Sequence, residues 1–124
     1  MQIIDANIIL RYVLNDHEEL SPKARQIIDE NVTVVPIEVL CEVVYVLSSF
    51  YKVERKIIGT ELCSFFENTA CELPHREAVL MGLELFSERK LDFVDCILAA
   101  YKSVDKAKVY TFDIKLQKLL EALP

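Results

Sequence analysis

Short β-branched runs alternate with helix-periodic stretches along the length of this chain, and that alternation admits few architectures. "QIID" (2–5) reads as a short strand that continues into a helix from Ala6 to Leu14. Ser21 and Pro22 read as an N-cap followed by a first-turn proline, opening a helix to about Glu30. "VTVV" (32–35) is a β-branched strand, and Pro36 opens a long helix to about Phe50. Further helices are expected at about Glu54–Asn68, Arg76–Arg89, Phe93–Ser103 and Ile114–Leu123. Between them, "CEL" (71–73) and "KVYTF" (108–112) supply strands. This pattern predicts an α/β fold: a three-layer α/β/α sandwich around a central, mainly parallel sheet of about five strands. With 124 residues, one domain spanning 1–124 is expected.

Composition removes several function classes. The chain has two glycines, Gly59 and Gly82, both inside helical patterns. A dinucleotide-binding fingerprint or a P-loop needs several glycines where a strand turns into a helix, so both are excluded, and the nucleophile elbow of hydrolases is absent as well. Four cysteines stand at 41, 63, 71 and 96 without a Cys-x-x-Cys pair, and there are two histidines, His17 and His75, so the spacing offers no structural zinc site. The cysteines read as reduced, small, apolar residues. No apolar run approaches the ~20 residues of a membrane helix, and "MQIID" lacks the basic start of a signal peptide, so a cytoplasmic protein is expected. An apolar content of 52% fits either a well-filled core or a surface covered by a partner. The formal charge of −6 is unfavourable for a protein that binds phosphate unless cations offset it.

In open α/β sheets ligands bind beyond the carboxyl ends of the strands, which directs attention to the polar residues there. Asp5 ends the first strand within "IIDANIIL", where it is expected to be partly buried; its alternative role is to cap the helix that follows. Glu42 is the one charged residue from Val39 to Tyr51, on a helix apolar around most of its circumference. A buried carboxylate there needs a metal, a salt bridge such as one to Arg11, or a proton. Asp95 stands near a helix start in "LDFVDCILAAY", with Asp92 as the expected cap; both could be ordinary first-turn acids. Asp113 ends "KVYTFD" and repeats the Asp5 arrangement, with Thr111 on the same strand face. Carboxylates brought to one sheet edge repel unless a cation joins them, and oxygen ligands suit Mg²⁺ or Mn²⁺.

The segments "IIDANIILRYVLND", "PIEVLCEVVYVL", "LDFVDCILAAY" and "VYTFDIKLQKL" resemble, in order and spacing, the four blocks of the PIN-domain family, and in particular the VapC-type toxin ribonucleases of VapBC toxin–antitoxin systems. The resemblance covers essentially the whole chain. It implies an Mg²⁺- or Mn²⁺-dependent endoribonuclease. By motif position it implies Asp5, Asp95 and Asp113 as metal ligands and Glu42 as the helix glutamate that orients water or a second ion. Asn7 and Thr111 match positioning groups beside the site, and Asp92 matches a position that is acidic in some members. Arg11 and Lys115 could contact phosphate or be plain surface residues. The partners implied are an RNA substrate, a cognate antitoxin and a second copy of the chain as a homodimer. Alternatives are a PIN-like RNA- or protein-binding module without turnover, or a nuclease acting on DNA. Phosphotransfer chemistry of the haloacid-dehalogenase type fits poorly, because the position two after Asp5 is Asn7 rather than a second aspartate. The aromatics Phe50, Tyr51, Phe65 and Phe66 could line a partner groove or fill the core.

Overall fold

A computed structural model describes residues 1–124. It contains seven helices and two short strands: α1 (Ala6–Leu14), α2 (Leu20–Glu30), β1 (Thr33–Val34), α3 (Ile37–Tyr45), α4 (Arg55–Asn68), β2 (Cys71–Glu72), α5 (Arg76–Glu88), α6 (Phe93–Asp105) and α7 (Ile114–Ala122). β1 and β2 pair in parallel, with Thr33 opposite Cys71 and Val34 opposite Glu72. The first segment joins them through a single parallel bridge between Ile3 and Val34. There Val34 N–H donates to the Gln2 carbonyl at 2.8 Å and Ile4 N–H donates to the Val34 carbonyl at 3.4 Å.

The sheet is therefore smaller than the five strands expected. "KVYTF" (108–112) forms no strand, and the reason is physical. Tyr110 and Phe112 both stand in solvent, and no strand lies beside the segment to complete a ladder. β propensity describes how well a residue fits a pleated, half-buried surface, and it is not realised without one.

The core is a buried cluster of 29 residues running from Ile4 to Leu120, so elements from α1 to α7 share it. Phe65 and Phe66 are in it, which assigns them to packing rather than to a partner groove. Tyr12, Phe65 and Phe66 stack edge to face in sequence, with centroids 5.2 and 5.1 Å apart. Phe50, by contrast, is exposed.

Two helix starts differ from expectation. Ser21 lies inside α2 rather than capping it. The exposed first amides are met instead by His17, whose Nδ1 accepts from Glu19 N–H at 3.2 Å and Leu20 N–H at 2.9 Å. Ser21 Oγ accepts in turn from His17 N–H at 3.1 Å. The long helix from Pro36 also changes character: after Tyr45 it continues as one π-helical turn, Val46–Phe50. Such single-turn insertions are rare and cluster at functional sites.

Both glycines mark close helix contacts. A Cβ on Gly59 would lie 2.7 Å from Ser87 Cβ and 2.8 Å from the Leu83 carbonyl oxygen of α5. Backbone cannot yield as a flexible side chain can. Alanine would add about 1 kcal/mol of helix propensity, but overpacking costs about 1–3 kcal/mol. Gly59→Ala is therefore expected to lower stability in a denaturant titration. Gly82→Ala should be milder, because the nearest atom, at 2.5 Å, is Ile97 Cδ1, the mobile end of a side chain.

Candidate active site

Asp5 and Asp113 each head a helix. Asp5 Oδ1 accepts from Ile8 N–H at 3.2 Å, and Asp113 Oδ1 accepts from Leu116 N–H at 2.8 Å. Both caps follow from the local sequence, since an aspartate in extended backbone can satisfy an orphan amide of the first turn. In each case Oδ2 makes no hydrogen bond within the protein. Thr111 fixes the approach to Asp113: its Oγ1 accepts from Asp113 N–H at 3.0 Å, and its carbonyl accepts from Gln117 Nε2 at 2.8 Å.

Asp95 lies in the first turn of α6, and Asp92 precedes that helix without a side-chain cap bond. The pKa of Asp95 is raised above the usual carboxylate value, first by partial burial, then by the charges of Asp113 and Asp92. Asp92 and Asp113 are thus both within electrostatic reach of Asp95, although α6 and the start of α7 are well separated in sequence. Asp92 and Asp95 border a cavity of about 600 Å³ shared with Cys41, Tyr45, Ser48, Ser49 and Arg55.

The other expected residues fall differently. Asp5 is exposed rather than partly buried, and so is Asn7. Glu42 is exposed rather than buried. The apolar surroundings of Glu42 conceal a solvent stripe, Glu38, Glu42, Tyr45 and Ser49, at spacings that place all four on one side of the helix. No ion pair joins Glu42 to Arg11. Arg11 instead donates from Nη1 to Asp16 and from Nη2 to the Tyr51 hydroxyl, both at 2.8 Å, while its buried Nε has no partner. Asn7 and Arg11 line a second cavity, of about 490 Å³, with Tyr45, Ser49 and Phe50. Tyr45 and Ser49 border both cavities, so the Asn7 side and the Asp95 side meet along one ridge. α1 and α6 both pack on α3.

Arg55 also borders this site. Its Nε donates to the Phe86 carbonyl at 3.0 Å and Nη2 donates to the Leu91 carbonyl. Its guanidinium also stacks 3.8 Å from the Phe86 ring centroid. It thereby pins the loop that leads into Asp92. Nothing in the sequence marks this, because the partners are backbone carbonyls from a distant helix end. Burial, first, pushes the Cys63 and Cys96 thiols up to about 11, so both remain protonated near neutral pH.

The structure gathers no group of three or more carboxylate, imidazole or thiol side chains that could hold a metal ion. The donor set still suits one kind of ion. Mg²⁺ is commonly held by one or two carboxylates and keeps several waters. Asp95 and Asp113 are two such carboxylates, mutually repelling in the absence of a cation. Hard oxygen donors exclude a preference for soft metals.

The chain is similar to known proteins along most of its length. The chain is 25% identical over 130 aligned residues to a protein named VapC ribonuclease from Aquifex aeolicus (strain VF5), covering 96% of this chain and 92% of that protein. No solved structure matches the chain significantly. The PIN domain model matches residues 3–121, a span that includes both capping aspartates, Glu42 and the crowded Asp95. The chain therefore belongs to the PIN domain family, a three-layer α/β/α fold.

Proposed function

We propose that this chain is a divalent-metal-dependent endoribonuclease of the VapC toxin type, acting as one unit over residues 1–124. The observation that carries the reading is the crowding at Asp95. In a PIN domain, a partly buried carboxylate is held beside two others with its acidity suppressed and no cation of the protein to relieve it. The similarity to a VapC ribonuclease supports RNA as the substrate. The alternative substrate, DNA, is a competitor to include in the test.

Asp95 and Asp113 are the residues that would hold the ion, Mg²⁺ or Mn²⁺. Asp5 and Glu42 are assigned as the remaining acids by their motif positions, with Asp92 beside them. When bound, such an ion activates a water and neutralises charge developing on the phosphate. The protein's own contribution is positional. Helix α7 anchors Asp113 by one oxygen, Thr111 fixes the backbone ahead of it, and Arg55 holds the loop before Asp92. Asn7, and Arg11 through its cavity, are the candidates for orienting the substrate strand. This reading also entails a cognate antitoxin, a homodimer and a cytoplasmic setting. The exposed Tyr45, Phe50 and Ile57 along α3, the π turn and α4 support a face covered by a protein partner. No helix is long and apolar enough to cross a membrane.

The test is metal removal. A labelled single-stranded RNA should be cleaved with Mn²⁺, uncut in excess EDTA, and cleaved again when metal is restored. Undiminished cleavage in EDTA would refute the metal-dependent reading. RNA binding with no cleavage under any metal would make the chain a binding module.

A further inference from the structure

A chain of net charge −6 must attract RNA somewhere, and one segment has the opposite balance. Residues 102–118 carry five lysines (Lys102, Lys106, Lys108, Lys115, Lys118) against Asp105 and Asp113, a local net of +3, so the rest of the chain holds −9. The same segment contains the two most exposed aromatic side chains in the molecule, Tyr110 at 83% and Phe112 at 102%. Neither is needed for the core, and leaving both rings in water forgoes the stabilisation that burial would bring. Lys108 Nζ lies 5.4 Å over the Tyr110 ring. Lys102, Lys106 and Lys108 line a cavity of about 400 Å³. The backbone under Phe112 is fixed, because Thr111 bonds both Asp113 N–H and Gln117 Nε2.

We propose that the extended segment Lys106–Phe112 is the entry track for single-stranded RNA, with the lysines taking phosphates and Tyr110 and Phe112 stacking unpaired bases. Lysines interleaved with exposed aromatic rings are the chemistry by which single strands are bound without base pairing. Charge complementarity calls for a polyanion, and the two fully presented rings favour RNA, whose unpaired bases can stack on them, over an acidic peptide. The track ends at Asp113, so a base on Phe112 lies one residue from the candidate centre. This assignment rests on the ribonuclease reading for its substrate, and it supplies that acidic protein with a binding surface.

The experiment measures binding and cleavage separately. A fluorescein-labelled oligouridylate is titrated by anisotropy in EDTA, where nothing is cut, across a salt series. Phe112→Ala should weaken binding roughly 5- to 150-fold, as expected when one base–aromatic stack is removed. The double change Lys106→Glu and Lys108→Glu should weaken it further and lower the log–log salt slope by about 1.4, or about 0.7 for each phosphate that is no longer neutralised. An RNA duplex should compete poorly, since stacking needs unpaired bases. Equal affinity of wild type and both variants would overturn the proposal, and so would equal competition by duplex. Unchanged RNA binding with abolished self-association in sedimentation would reassign the segment to a second copy and overturn it likewise. With Mn²⁺, cleavage by variants whose KM matches wild type would sink the track and leave the nuclease reading standing. No cleavage by wild type, with binding still weakened in the variants, would sink the nuclease reading and support the track.

Discussion

Asp95→Asn is expected to reduce the kcat/KM for Mn²⁺-dependent RNA cleavage by about 10²–10³-fold, as when one preorganised electrostatic group is removed from a phosphoryl or acyl centre. The same substitution should leave the melting temperature no lower than that of wild type. The two results together separate chemistry from scaffolding. Asp95 has its folded-state pKa raised by burial, Asp113 and Asp92. An acid whose folded pKa lies above its unfolded value costs stability while ionised, and that cost fades as pH falls through the raised value. The variant's thermal advantage should therefore be largest near neutral pH and shrink on acidification. Cleavage is followed on a labelled RNA and melting by circular dichroism. A fully active variant would remove Asp95 from the centre, and a variant that melts earlier at neutral pH would make it a structural residue. Asparagine is the right replacement at Asp5 and Asp113 also, because it keeps an oxygen for Ile8 N–H or Leu116 N–H while discarding the charge.

Phe66→Ala should cost about 3–5 kcal/mol, a large share of the 5–15 kcal/mol typical of a whole domain. Phe66 is 1% exposed, the largest fully buried side chain, and its removal also deprives Phe65 of an edge-to-face neighbour. The melting temperature should fall by roughly 10 °C or more. Phe50→Ala is the control from the same set of aromatics: its ring is exposed, and its removal should change stability by no more than about 0.5 kcal/mol. Equal melting temperatures for the two variants would contradict the division of these rings between core and surface.

The parts of this molecule that were legible in its sequence are those governed by near neighbours. An apolar run that ends in aspartate and turns into a helix specifies the caps at Asp5 and Asp113, though not the exposure of Asp5, whose apolar neighbours suggest partial burial. Helices α4 to α7 also fall close to where periodicity places them. Non-local partnership was not legible. "KVYTF" has strand-like residues, but a strand exists only with a neighbour to bond, and none lies there. The apolar sequence neighbours of Glu42 suggest burial; on the helix, the stripe through Glu38, Tyr45 and Ser49 decides the matter. The proximity of Asp95 to Asp113 depends on how α6 and α7 dock, which no local pattern encodes.

The π turn at Val46–Phe50 accommodates one more residue than an α-helical turn would. Were the same residues wound as regular α-helix instead, everything downstream would be swung by about 100°. Tyr51 would leave the Arg11 guanidinium, and Phe50 would quit the cavity wall shared with Asn7. The spare residue thus works as a phase setting: it times which side chains reach across to α1.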